Sequence, residues 1–173
     1  MSYVHKLMKS PVGRLTLVGG DNGLVAVLWE NEDPRRVPIP AGPEDTGHPV
    51  LAETERQLDE YFAGRRTEFS VALDFVVGTP FQRRVWRALL DVPFGKTRSY
   101  ADLAQQLGWP KAVRAIGAAN GKNPIAIIAP CHRVIGSSGK LTGYAGGLAA
   151  KALLLRLEGV AGDALNNRYG YVA

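Results

Sequence analysis

One stretch of the chain carries residue types that could do covalent chemistry: Ile127-Ile128-Ala129-Pro130-Cys131-His132-Arg133-Val134. Cys131 is the only cysteine among the 173 residues. An imidazole and a guanidinium follow it directly. A thiol attacks as thiolate, and adjacent positive charge or a neighbouring base favours that form. The apolar run would bury the site, and Pro130 would set the angle at which the chain presents the sulfur. A lone cysteine is more often a small buried hydrophobe; the two basic side chains weigh against that reading. Glu158 ends a helical pattern, where the helix dipole opposes a carboxylate by about 0.3–1 kcal/mol. Either it is solvated, or it faces a cationic or proton-donating partner. His132 is the candidate. A carboxylate would orient the ring and stabilise its protonated form, while the other nitrogen helps deprotonate Cys131. Adjacent side chains seldom bond each other with good geometry, so a water is expected between His132 and Cys131.

Charge is unevenly distributed. Residues 81–140 carry ten Lys/Arg and two acids, whereas the rest of the chain has eleven basic and fourteen acidic residues. The whole positive excess lies in the segment leading to the cysteine. It is either a solvated basic face or a phosphate-binding footprint. With 46% hydrophobic and 21% charged residues the chain is ordinary for a globular protein, so large-scale disorder is excluded. One cysteine excludes an internal disulfide framework and a Cys-rich zinc site. No apolar run reaches membrane-spanning length and no signal-type segment opens the chain, so a reduced cytoplasmic setting is expected.

The elements that must position these residues follow from pattern. Val4–Met8, Leu15–Val18 and Leu24–Trp29, separated by Ser-Pro-Val-Gly and Gly-Gly-Asp-Asn-Gly turns, predict an antiparallel meander. A helix is predicted over 48–63, closed by Gly64, and a possible short strand within 67–77. Thr79-Pro80-Phe81-Gln82 reads as a capping box with proline at the first helical position. Ser99-Tyr100-Ala101-Asp102 opens the next helix by the same logic. After Gly108-Trp109-Pro110, a helix is predicted over 111–120. Two short helices about a glycine-containing turn are the helix-turn-helix pattern. Ala112, Ala115, Gly117, Ala118 and Ala119 keep the second helix low enough for a partner to approach its backbone, with Arg114 projecting; tight helix–helix packing also wants small residues. A turn is expected over 136–140. Thr142-Gly143-Tyr144-Ala145-Gly146-Gly147 is a glycine-rich loop without a Walker-type lysine, which excludes that mode of nucleotide binding. The boundary is placed after Gly78, giving domains 1–78 and 79–173. The fold class is α+β: an N-terminal α/β domain with an antiparallel sheet, then a helical domain with the helix-turn-helix.

Pro130-Cys131-His132-Arg133-Val134, preceded by Asn123-Pro124 and followed by Gly143-Tyr144-Ala145-Gly146-Gly147 and Glu158, resembles the O6-alkylguanine-DNA alkyltransferases, or methylated-DNA–protein-cysteine methyltransferases. The resemblance runs from about Thr79 to Gly159. It includes Phe81-Gln82 with Val85-Trp86, Ser99-Tyr100, and Arg114-Ala115-Ile116-Gly117. It implies an RNase H-like N-terminal domain and a suicide repair protein. Such a protein binds duplex DNA containing O6-alkylguanine with its helix-turn-helix in the minor groove and flips the damaged base into a pocket.

By matching positions, the resemblance makes Cys131 the nucleophile, activated by His132 and Glu158 through water. Tyr100 protonates the departing guanine at N3. Arg114 fills the space of the flipped base, and Ala112, Ala115 and Gly117 lie against the DNA. Asn123 braces the turn into the active-site run. Pro130, Gly143 and Tyr144 wall the pocket, and backbone groups of Cys131, Val134 and Ala145 read the base edges. Many relatives have serine where Ala145 stands, so a hydroxyl contact is lost, and Ile116 replaces a usual valine. Some relatives bind zinc through cysteines and histidines of the N-terminal domain; none is expected here, nor any other cofactor. A monomer is expected, with cooperative binding along DNA left open. Two other classes compete. A thiol hydrolase would need an oxyanion hole and leaves the basic segment and Arg114 unexplained. A non-catalytic DNA-binding module would make Cys131 structural.

Overall fold

The computed structural model describes residues 2–136 and 143–160. The turn expected at 136–140 lies outside them from residue 137 on, as do Thr142 of the glycine-rich loop and the tail after Val160. The described chain forms two compact units. The first is Met1–Gly78 with Pro124–Ile128, and the second is Thr79–Asn123 with Ala129–Ala173.

In the first unit, β1 (Val4–Met8), β2 (Leu15–Gly20) and β3 (Gly23–Leu28) form the expected antiparallel meander in sequential order. A register shift between Val18 and Gly19 bends β2. Helix α1 (Pro49–Phe62) buries Leu51, Leu58 and Tyr61. At Gly19 an added Cβ would stand 3.1 Å from Leu51 Cδ2, so the missing side chain lets helix and sheet close up. Val18, Val25, Ala26, Val37 and Ile39 form a further cluster, so loop 37–39 also contributes to the core. No strand forms over 67–77. Leu73 makes only an isolated parallel bridge to Leu24, with the Leu24 N–H donating to Ala72 O and Asp74 N–H to Leu24 O. The segment comes back to the sheet edge at one point, too briefly for a ladder. Pro124–Ile128 joins this unit the same way: Val27 N–H donates to Pro124 O, and Ile125 bridges Val27.

In the second unit, α2 (Pro80–Leu89) begins with the reciprocal Thr79–Gln82 capping box. Helix α3 (Tyr100–Gln106) begins with the reciprocal Ser99–Asp102 box, Asp102 supplying the acid at the third position. Helix α4 (Val113–Gly121) starts later than expected. Pro110 does not open it, because Ala112 N–H turns back to Trp109 O; Lys111 and Ala112 belong to the turn, and Ala112 is an N-cap without a side-chain acceptor. Trp86 Nε1–H, buried, donates to Ala119 O at 2.8 Å and bolts α2 to α4. Three further short elements had no sequence signal. Strand β4 (Arg98–Ser99) pairs in parallel with β5 (Val134–Ile135), and Cys131–Arg133 form a 3-10 turn. Helix α5 (Leu148–Leu157) closes the described chain.

Candidate active site

Cys131 is reduced and buried. It follows two tight turns. Ile127 has φ +72°, with the Ile128 N–H donating to Ala126 O at 2.8 Å. A positive φ costs a β-branched residue on the order of 1–3 kcal/mol, a strain held by burial of its side chain. Pro130, at φ −82° and ψ 67°, centres an inverse γ-turn closed by Cys131 N–H to Ala129 O at 2.8 Å. Proline's fixed φ suits that turn and starts the 3-10 turn carrying Cys131, His132 and Arg133.

Glu158 is buried, not solvated. It follows the last turn of α5, and Gly159 at φ +79° ends the helix in a Schellman motif, with Val160 N–H bonding Leu155 O and Gly159 N–H bonding Arg156 O. Its Oε2 accepts from His132 Nε2 at 2.7 Å and from Arg133 Nη2 at 3.0 Å. Its Oε1 accepts from Arg133 Nε at 2.8 Å and from the Gly95 N–H at 3.3 Å. The bidentate guanidinium offsets both the helix dipole and the loss of hydration. Arg133 Nη1 also donates to Val92 O at 2.6 Å.

His132 is fully enclosed. A carboxylate only accepts, so Nε2 carries the ring hydrogen and Nδ1 is left as the basic atom. Nδ1 is buried with no protein hydrogen-bond partner among the described residues. Burial pushes the His132 pKa below its ordinary value, outweighing the hydrogen bond and charge of Glu158, which act upward; Arg133 and Lys151 add to the depression. The resting ring is a neutral base. Glu158 orients the ring and acts toward its protonated form, but desolvation outweighs it, and the same carboxylate also pairs with Arg133.

The structure gathers other predicted residues around this array. The β4–β5 pairing sets Ser99 against Ile135, which puts Tyr100 beside the chain leaving Cys131. The Tyr100 ring lies over Gly117, where an added Cβ would stand 3.7 Å away. Asn123 is buried, and its Nδ2 donates to Ala129 O at 2.8 Å, tying together the two ends of the excursion through 124–128. Val134 N–H donates to Cys131 O, and Val134 O accepts from Lys151 Nζ at 2.7 Å, which leaves that carbonyl its second lone pair. Tyr144 is half-buried, its ring centroid 5.9 Å from Lys151 Nζ; Gly143 and Ala145 are exposed in the loop before α5. Val113, Arg114, Ala115 and Ala118 form the exposed face of α4, where the side chain of Arg114 stands on a surface of small residues.

Three residues around the site had no assigned part in the sequence reading. Arg133 was noted only as a charge beside the thiol; a buried acid needs a cation, and its neighbour in sequence supplies it. Lys151 sits on the helical stripe of α5 as though apolar. It is buried, and desolvation pushes its pKa down to about 8, while the Cys131 charge acts upward. Asn120 Nδ2 donates to Cys131 O at 3.4 Å. Among the described residues no group of three or more His, Cys, Asp or Glu could hold a metal ion, and no helix is long and apolar enough to cross a membrane.

Surface charge differs between the units. In the first, Lys6, Arg35, Arg36, Arg56 and Arg66 all pair with carboxylates. In the second, the described ion pairs are those of buried Glu158. Arg84, Arg87, Lys96, Lys111, Arg114 and Lys122 are exposed and have no carboxylate partner among the described residues.

Fold and site together define a two-unit α+β protein in which a helix-turn-helix shares one unit with a buried Cys–His–Glu–Arg array. Residues 3–75 match the family model described as 6-O-methylguanine DNA methyltransferase, ribonuclease-like domain, and residues 80–160 match its DNA binding domain. A Mycolicibacterium paratuberculosis protein named methylated-DNA–protein-cysteine methyltransferase is 50% identical over 156 residues, covering 89% of this chain and 91% of its own. A Methanosarcina acetivorans protein of the same name is 46% identical over 155 residues, covering 90% and 97%. The crystal structure of Mycobacterium tuberculosis OGT in complex with DNA superposes with a TM-score of 0.81 at 47% identity, covering 95% of this chain and 98% of that one. The chain belongs to the methylated-DNA–protein-cysteine methyltransferase family.

Proposed function

We propose that this protein repairs DNA by transferring an alkyl group, methyl above all, from O6 of guanine to Cys131, once per molecule. The observation that carries this reading is a buried thiol followed by a neutral imidazole whose Nε2–H is held by Glu158 at 2.7 Å, on the same unit as the exposed Arg114 face. With Nε2 fixed as donor, Nδ1 takes the thiol proton through one water. The Cys131 sulfur forms the new S–C bond as the C–O6 bond breaks, and the electron pair passes into the purine. The Tyr100 hydroxyl gives its proton to N3 and regains one from solvent, so guanine leaves neutral. The chain has no second cysteine to resolve a thioether, which accords with a reagent used once.

Duplex DNA is the partner. The unpaired cations of the second unit supply the electrostatics, and α4 enters the minor groove with Arg114 in the space vacated by the flipped base. Asn123 braces the run before Cys131. Pro130, Gly143, Tyr144 and Ala145 shape the pocket, and the second lone pair of the Val134 carbonyl reads the base edge. The protein acts as a monomer in the cytoplasm, without a cofactor.

The test is to incubate the protein with an oligonucleotide carrying O6-methylguanine and weigh the Cys131 peptide. A gain of one methyl group in a single stoichiometric event is expected. An unmodified peptide with intact DNA binding would sink the proposal in favour of a binding module. Modification followed by recovery of the free thiol would indicate hydrolase-like chemistry.

A further inference from the structure

The second unit carries an aromatic–cation stack at the turn between α3 and α4 that the transfer chemistry does not use. Trp109 lies against Phe81 of α2, with ring centroids 5.1 Å apart and planes inclined at 37°. The Arg84 guanidinium carbon sits over the Trp109 ring, 4.4 Å from its centroid. The Trp109 main chain is fixed in the turn, its backbone N–H donating to Ala104 O at 2.8 Å and its carbonyl accepting from Ala112 N–H at 2.9 Å. It is half-buried, while Arg84 is exposed. Arg84 makes no hydrogen bond or ion pair among the described residues, whereas arginines of the first unit such as Arg36 and Arg56 are paired to carboxylates. Arg87, one helical turn along α2, and Lys111, two residues after Trp109, are likewise exposed and without a carboxylate partner.

We infer that Arg84, stacked on Trp109, is a preformed contact for a backbone phosphate of the bound duplex, setting the register of α4 on the DNA. The inference rests on the proposed DNA-directed function and adds a site to it. A guanidinium is well suited to phosphate because its planar N–H fork matches two oxygens. An arginine on a flexible stem loses side-chain freedom when it binds; one already resting on an indole has lost much of it. The ring attracts the cation through its face without consuming its N–H donors, so the donors remain for an outside anion. Location supports a phosphate rather than a base as the ligand. Arg84 rides on α2, which is bolted to α4 through Trp86 and Ala119, so it is carried at a fixed offset beside the helix bearing Arg114.

The experiment measures binding of an undamaged duplex by fluorescence anisotropy across a salt series, for wild type, Arg84→Gln, Arg84→Lys, Trp109→Ala and the double variant Arg84→Gln/Trp109→Ala. Loss of one phosphate contact should lower the slope of log K against log salt by about 0.9 for Arg84→Gln. Trp109→Ala keeps the charge and should weaken binding about three- to fivefold with the slope nearly unchanged. In the Arg84→Gln background the tryptophan change should add nothing. Arg84→Lys should retain the slope but lose affinity. An unchanged slope in Arg84→Gln overturns the inference, as does an equal effect of Trp109→Ala in both backgrounds, which would mean the ring acts alone. Arg84 is exposed, so its variants decide the matter even if Trp109→Ala fails to fold. Methyl transfer to Cys131 from free O6-methylguanine and from a methylated duplex is measured alongside. Transfer from the free base should be unaffected by every Arg84 change, and an unmodified Cys131 in wild type after incubation with the methylated duplex would instead overturn the proposed function.

Discussion

Replacing Glu158 by glutamine tests the array at its centre. The substitution keeps shape and removes the charge. An amide offers one acceptor oxygen, whereas the carboxylate accepts from His132 Nε2, Arg133 Nε, Arg133 Nη2 and Gly95 N–H. If the amide nitrogen takes the Oε1 position it faces the N–H of Arg133 Nε and that of Gly95. If it takes the Oε2 position it faces Arg133 Nη2. In both arrangements a donor opposes a donor, and a guanidinium whose side chain is 7% exposed loses its counter-charge. Breaking a buried pair from one side costs about 3–5 kcal/mol. With a urea slope of about 2 kcal/mol/M, the midpoint should fall by about 2 M. Arg133→Met should cost a similar amount by stranding the carboxylate. The double variant strands neither charge and should lose about 3 kcal/mol less than the sum of the singles. Urea titration of all four proteins, followed by a probe in the second unit, gives the coupling directly. Single losses below about 1 kcal/mol, or simple additivity, would refute the reading that this is a desolvated pair and not a surface one.

Other outcomes follow from the same geometry. His132 has its pKa depressed in the folded state, so below about pH 6.5 the unfolded chain takes up protons that the folded one refuses. Stability should hold at pH 7–8 and fall as the pH drops below 6.5, measured by urea midpoint, whereas the transfer rate, set by the folded ring, should hold through pH 6.5 and fall only at lower pH in single-turnover kinetics; a rate already declining from pH 8 to 7 would contradict a neutral base. Lys151, at about 8 when folded against 10.5 unfolded, should make the protein gain stability between pH 8 and 10, up to about 3 kcal/mol, a gain absent from Lys151→Met in parallel melts. Asn123→Ala leaves the buried Ala129 carbonyl with the Cys131 N–H as its remaining donor and should cost about 0.5–1.5 kcal/mol in urea titration, with transfer slowed from free base and duplex alike. Arg114→Ala should slow transfer from duplex DNA far more than from free base; equal losses on the two substrates would contradict a role in base flipping.

Much of this was legible in the chain itself where the cause is local. The two capping boxes depend on residues three apart, and the meander on turns within a few positions, so Thr79–Gln82, Ser99–Asp102 and β1 to β3 could be read directly. Local signals also misled. Pro110 looked like a helix start, but the Trp109–Ala112 turn delays α4 to Val113. The 67–77 run has strand composition, yet it meets the sheet at Leu73 alone.

By itself the sequence determined the chemical parts: a single thiol, an imidazole beside it, a helix-ending carboxylate and a basic segment with one arginine on a low helix. Only the tertiary structure decided their states. Burial left His132 neutral, and Arg133, not His132, became the counter-charge of Glu158. Lys151 was turned inward onto Val134, and the chain was carried through the first unit between Asn123 and Ala129. The physical reason is that residue types and short-range spacing are properties of the chain, whereas desolvation and the choice of partner depend on which distant segments close over a group.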